Sequence, residues 1–130
     1  MNKSELQSWL DAYVEAWRTY DPEKIAGLFT EDARYRFNPF QKEGIVGRHA
    51  IVANWLESRD PAGSWSAEYR ALAVDGDTGI AEGLTRYRAD HPASKGTERV
   101  YANLWVMRFA PDGRCRDFTE WFMEQTKKSA

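Results

Sequence analysis

Residues 100–123 read VYANLWVMRFAPDGRCRDFTEWFM, two apolar, aromatic-rich runs on either side of Pro111-Asp112-Gly113. Such runs around a Pro-Asp-Gly turn predict a β-hairpin. Alternation splits the first run into Tyr101/Asn103/Trp105/Met107/Phe109 and Val100/Ala102/Leu104/Val106/Arg108. It splits the second into Arg116/Phe118/Glu120/Phe122 and Cys115/Asp117/Thr119/Trp121/Met123. Loop length decides which sets share a face, because a one-residue slip turns every side chain over. A two- or four-residue loop sets Asn103 beside Glu120; a three-residue loop sets it beside Trp121 and Met123. The even loop is favoured, since it makes Arg108 and Asp117 opposite-charge neighbours and leaves the rest of their face mostly apolar. One face is then a pocket floor with a carboxylate and an amide among aromatic rings, and the other a buried interface.

Upstream of the hairpin, Leu6, Trp9, Leu10, Tyr13, Ala16, Trp17 and Tyr20 recur at helical spacing. Ser4 with Gln7 forms a capping-box pattern, which predicts a helix over about residues 5–19. Asp21-Pro22-Glu23 starts a second, short helix, with Asp as cap and Pro in the first turn. That helix turns Ile25, Leu28 and Phe29 inward and ends before Thr30. Ala33–Phe37 alternates as a strand, Tyr35 and Phe37 on one face and Arg34 and Arg36 on the other. A loop or short hairpin over 39–47 leads to a third helix, about 48–58, that buries Ile51, Val52, Trp55 and Leu56. After Asp60-Pro61-Ala62-Gly63 the pattern is strand only, over about 65–74, 78–89, 98–109 and 114–124. Helices first and an antiparallel meander afterwards predict an α+β domain spanning 1–130.

The chain of 130 residues is long enough to bury a core without staples. Six Trp, six Tyr and six Phe supply rings of the kind that fill cores and line small-molecule sites. A formal net charge of −2 excludes general attraction to nucleic acid or anionic lipid. The single Cys115 excludes an intrachain disulfide and fits a reducing compartment. The polar start MNKSELQSWLDAY lacks a signal-peptide core, and no apolar run approaches the ~20 residues of a membrane span. A cytoplasmic location is expected.

The first helix with Tyr13 and Trp17, the run DPEKIAGLFTEDA over residues 21–33, Gly47 before the third helix, and Arg108-Phe109 followed by Asp112-Gly113-Arg114 together resemble NTF2-like proteins of the SnoaL-like group. The resemblance covers nearly the whole chain. It implies a cone in which three N-terminal helices pack in a strongly bent, mostly antiparallel sheet. It also implies a ligand pocket, here walled by Trp17, Tyr35, Phe37, Trp55, Tyr101, Trp105, Met107, Phe118 and Phe122. Homodimerisation through the outer sheet face is a further implication, which suits Val100, Leu104, Val106 and Trp121. Ketosteroid isomerases of this fold use a Tyr on the first helix, an Asp base in the first strand and a protonated Asp in a late strand. Tyr13 matches the Tyr, whereas the two acid positions fall on Phe37 and Trp105, so that constellation is absent. The acidic and His residues of SnoaL-type polyketide cyclases do not map onto this chain as a pair.

Glu120 is the leading candidate for chemistry, because a carboxylate among Trp105, Phe118 and Phe122 is desolvated and its pKa raised. Asn103 and Tyr13 are candidates to orient a ligand, each with a structural role as the plainer alternative. Glu82 is placed equally well in the pocket or on the outer face. His49 and His91 lack ligand spacing, so no metal is expected, and Gly44–Arg48 is not a phosphate loop. Cys115 has no matched His and falls on the interface set, which argues against a nucleophile. The expected function is binding of a small, mostly apolar molecule, with cofactor-free acid–base catalysis of isomerase, cyclase or dehydratase type. A non-catalytic binding or accessory dimerisation module is the alternative.

Overall fold

A computed structural model describes residues 1–126. Helices α1 (Lys3–Thr19), α2 (Pro22–Gly27) and α3 (Arg48–Glu57) pack on one face of a six-stranded sheet. The strands are β1 (Phe29–Arg36), β2 (Ile45–Val46), β3 (Trp65–Asp75), β4 (Thr78–Tyr87), β5 (Arg99–Phe109) and β6 (Cys115–Glu124). Their order is β2-β1-β6-β5-β4-β3, all antiparallel except the β1–β6 pair. This is the expected α+β arrangement.

Two element starts differ from the sequence reading. The cap of α1 is Asn2, not Ser4: its side chain accepts from Glu5 N–H at 2.8 Å while Glu5 Oε1 accepts from Asn2 N–H at 3.0 Å. Asn serves a capping box as well as Ser does, and so takes the cap two residues earlier. Strand β1 begins at Phe29, which the sequence reading places in the second helix. Cys115 N–H donates to Leu28 O at 2.8 Å, so β6 captures the backbone as soon as α2 ends.

In the hairpin, Asn103 pairs with Phe122, Trp105 with Glu120 and Arg108 with Asp117, which is the expected sharing of faces. The even loop behind that expectation is not present. Ala110 N–H donates to Arg114 O, leaving a three-residue loop, 111–113, with Gly113 at φ 88°. A register shift beyond Arg108 then inserts one extra residue into β6 and restores the pairing. Two assignments next to the turn are corrected as a result. Cys115 is fully buried in the core, not on the outer face, and Arg116 turns outward to pair with Asp77. Glu82 lies on the outer face, paired with Arg70.

The core fills the closed end of the curved sheet. Leu6, Leu10, Ile25, Phe29, Ile51, Met107, Cys115 and Phe118 are wholly buried there. Trp9 lies edge-on to Phe29 and Phe109, and its Nε1 donates to Leu28 O at 3.1 Å. No described helix is long and apolar enough to cross a membrane.

Candidate functional site

The inner face of the sheet and helices α1 and α3 enclose a cavity of about 430 Å³. That is within the range of small-molecule sites. Every second residue of a strand faces inward, which brings Tyr69 of β3, Thr85 and Tyr87 of β4, Tyr101, Asn103 and Trp105 of β5, and Glu120 and Phe122 of β6 onto one wall. The rest of the lining comes from Tyr13, Trp17 and Tyr20 at the end of α1, Tyr35 of β1, and Asn54 and Trp55 of α3. Phe37 and Phe122, 40% and 53% exposed, form part of the rim. Met107 and Phe118, expected on the wall, are not on it: both are wholly buried in the core.

Tyr69 can lean over the sheet because its β4 partner is Gly83. A Cβ at Gly83 would lie 2.2 Å from the Tyr69 ring and 2.1 Å from Glu68 O. The cleared ring then packs at 4.2 Å from Trp105.

Glu120 is a carboxylate of the cavity lining. Trp105 Nε1 donates to its Oε2 at 2.7 Å, and Asn103 Nδ2 donates to the same oxygen at 3.1 Å. Oε1 has no hydrogen-bond partner among the described residues. Burial holds the Glu120 pKa above the ordinary carboxylate range, against the opposing pull of the two hydrogen bonds. A proton that Glu120 takes up therefore belongs on Oε1, the oxygen left free.

Behind Asn103 the chain continues. Thr85 Oγ1 donates to Asn103 Oδ1 at 2.8 Å, and the Tyr69 hydroxyl lies 2.5 Å from Thr85 Oγ1. Also on the lining, the Tyr13 and Tyr35 hydroxyls are 2.6 Å apart. Burial raises both pKa values well above the ordinary phenol range, so both stay protonated. Two hydroxyls carry two hydrogens and the bond between them uses one. The other has no acceptor among the described residues and is free for a ligand oxygen.

A second polar cluster sits where the turns of residues 88–97 fold over the cavity. Asp60 accepts from Trp17 Nε1 at 2.8 Å and from His91 Nε2 at 2.7 Å. Ala93 N–H donates to His91 Nδ1 at 2.9 Å, so the ring hydrogen is on Nε2 and both nitrogens are engaged. His91 is therefore a brace and not a free base. Trp17 also stacks on Trp65 at 3.7 Å, joining α1 to the start of β3. His49 is exposed and far from this cluster in the chain.

Of the residues expected at the site, Tyr13, Trp17, Tyr35, Phe37, Trp55, Tyr101, Asn103, Trp105, Glu120 and Phe122 meet around the cavity. Sequence reasoning missed Tyr69, Thr85 and Tyr87. Their signal was available in the alternation of β3 and β4, once these strands are paired onto Asn103 and Tyr101. It also missed Asp60 and His91, which looked like a helix breaker and a loop His. Among the described residues, no group of three or more His, Cys, Asp or Glu is placed to hold a metal ion.

None of the curated proteins matches the chain. Among solved structures, an NTF-2 like protein of unknown function from Burkholderia xenovorans LB400 superposes with a TM-score of 0.71 at 20% identity, covering 98% of this chain and 89% of the other. One described as a ketosteroid isomerase from Kribbella flavida DSM 17836 gives 0.70 at 20% identity, with 96% and 82% covered. An LEH-like epoxide hydrolase of M. tuberculosis gives 0.67 at 15% identity, with 93% and 84% covered. At such identities the likeness is one of fold, the NTF2-like cone. Residues 10–118 match the SnoaL-like domain, and the chain belongs to that family.

Proposed function

We propose that this chain binds a small, mostly apolar organic molecule in the aromatic cavity and acts on it by cofactor-free proton transfer, with Glu120 as acid or base. The observation that carries the reading is the asymmetry of the Glu120 carboxylate: Oε2 is held by two donors, while Oε1 is free among aromatic rings. Burial moves the pKa toward working pH, where proton transfer is most effective. A carbonyl compound with an acidic C–H beside the carbonyl meets both open valences of the cavity. Its oxygen takes the unspent hydrogen of the Tyr13–Tyr35 pair, and its carbon gives a proton to Glu120 Oε1. The C–H electrons pass to the carbonyl oxygen as an enolate, which the tyrosine hydrogen stabilises. Return of the proton to the same or a different carbon completes exchange or isomerisation.

The test uses 2-tetralone, a bicyclic aromatic ketone, with loss of its α-hydrogens in D2O followed by NMR. The protein should accelerate exchange, and Glu120→Gln should lower the acceleration by about 10²–10⁴-fold while leaving 2-tetralone bound. Binding without acceleration would favour the second reading, a non-catalytic binding module. That reading is supported by Phe37 and Trp105, which stand where the isomerases that this chain resembles carry acids. Absence of binding would sink both readings.

Two further proposals concern setting. The chain forms a homodimer through the outer face bearing Val100, Leu104, Val106 and Trp121, and it works in the cytoplasm, as its one buried, unpaired cysteine supports.

A further inference from the structure

We infer that Thr85 and Tyr69 are positioning residues for Glu120, acting through a hydrogen-bond chain whose direction is fixed by chemistry. The inference rests on the reading of Glu120 as the acid–base group. An ionised carboxylate can only accept, so Asn103 must present its NH2 to Glu120. The amide oxygen of Asn103 then faces Thr85 and requires a donor. Thr85, 2% exposed, has a single O–H, and it goes to Asn103. Nothing remains on Thr85 to donate to Tyr69, so the Tyr69 hydroxyl must donate to Thr85 Oγ1. Three donors therefore point one way, Tyr69 to Thr85 to Asn103 to Glu120 Oε2, and such chains polarise each bond along them.

The arrangement has two consequences at the carboxyl. It stabilises the charged form against the cost of burial, and it keeps Oε2 occupied so that Oε1 alone carries the exchangeable proton. If Asn103 turned over, its carbonyl would face the carboxylate oxygen, an acceptor against an acceptor. The carboxylate forbids the turn, and Thr85 supplies the donor that the amide oxygen then needs. Sequence alone gives Thr85 no distinction, since a Thr within a strand is ordinary.

The groups facing Glu120 leave this effect easy to read. Tyr13 of α1, Tyr35 of β1, Tyr69 of β3 and Tyr87 of β4 are phenols that burial holds above their ordinary range, so none changes charge where a carboxyl titrates. Asp60 is tied to Trp17 and His91 at the far cluster, and Arg99 on the cavity lining is paired with Glu124.

The experiment is a carboxyl-carbon NMR titration of Glu120 in the full chain, assigned with Glu120→Gln. Thr85→Val, close in shape but without the hydroxyl, should raise the Glu120 pKa above wild type by about half to one pH unit, a three- to tenfold smaller ratio of carboxylate to acid at a given pH. Thr85→Ser should restore the wild-type value, and Tyr69→Phe should give a smaller rise than Thr85→Val. If Thr85→Val fails to fold, Thr85→Ala carries the same expectation. The inference is overturned if the variant lacking the hydroxyl titrates as wild type, or if Thr85→Ser shifts as far as Thr85→Val. A wild-type Glu120 titrating in the ordinary carboxylate range would instead overturn the acid–base reading itself, and this inference with it.

Discussion

A carboxylate held above its ordinary pKa by burial is a stability cost as well as a chemical asset. Glu120 in the unfolded chain ionises in the usual carboxylate range, and in the folded cavity it ionises at higher pH. Folding is therefore helped fully while the group is protonated, below the unfolded value, and that help is lost as pH rises through the folded value. Glu120→Gln keeps an oxygen for Trp105 Nε1 and Asn103 Nδ2 and removes the buried charge. The variant should be more stable than wild type at pH 7 by about 1 kcal/mol, the scale on which active sites trade stability for function. The gap should close near pH 4. Urea denaturation at the two pH values measures it, and an equal gap at both would refute the argument. Glu120 and Asn103 were legible in the sequence because a polar residue on an aromatic, alternating face is conspicuous. Alternation can place Thr85 and Tyr69 on the same face, but it does not encode the direction of the protons across four strands that gives them their meaning.

At the scale of elements, the late hairpin shows how a correct face can follow from an incorrect loop. Opposite charge at Arg108 and Asp117 and the apolar set around Leu104 were signals spread over the length of both strands. The loop and the extra residue at the turn are local, and their errors cancel: an odd loop plus one inserted residue has the parity of an even loop. The turn-proximal residues, Cys115 and Arg116, were the only ones assigned to the wrong side. The segment over 88–97 was legible only as polar turn. Its order comes from Asp60, whose two oxygens accept separately from Trp17 and His91. Asp60→Asn offers one acceptor where two donors need one, so a half-buried N–H is left unmatched. The expected cost is about 1–3 kcal/mol. It should be accompanied by faster amide exchange at His91, Ser94 and Thr97, whose N–H groups close the successive turns. Unchanged exchange there would mean that the turns hold without the Asp60–His91 brace.

For the molecule as a whole, one sheet serves two faces that do not share side chains. The inner face lines the cavity; the outer face exposes Leu84, Leu104, Trp121 and Met123 by 43%, 38%, 49% and 74% on three adjacent strands. Leu104 pairs with Trp121, and Ala102 lies between Leu84 and Met123, so these side chains form one contiguous apolar patch. Such patches mark interaction surfaces, and a self-complementary contact between identical faces gives a closed twofold dimer. Wild-type protein should sediment at twice the 15.0 kDa chain mass. Trp121→Glu places a charge at the centre of the patch and should sediment at 15.0 kDa. Because Trp121 points away from the cavity, the monomeric variant should still bind 2-tetralone with wild-type affinity. Wild-type protein sedimenting as a monomer would refute the dimer. A monomeric variant that has lost 2-tetralone would refute the independence of the two faces, and would make the cone's shape depend on its partner.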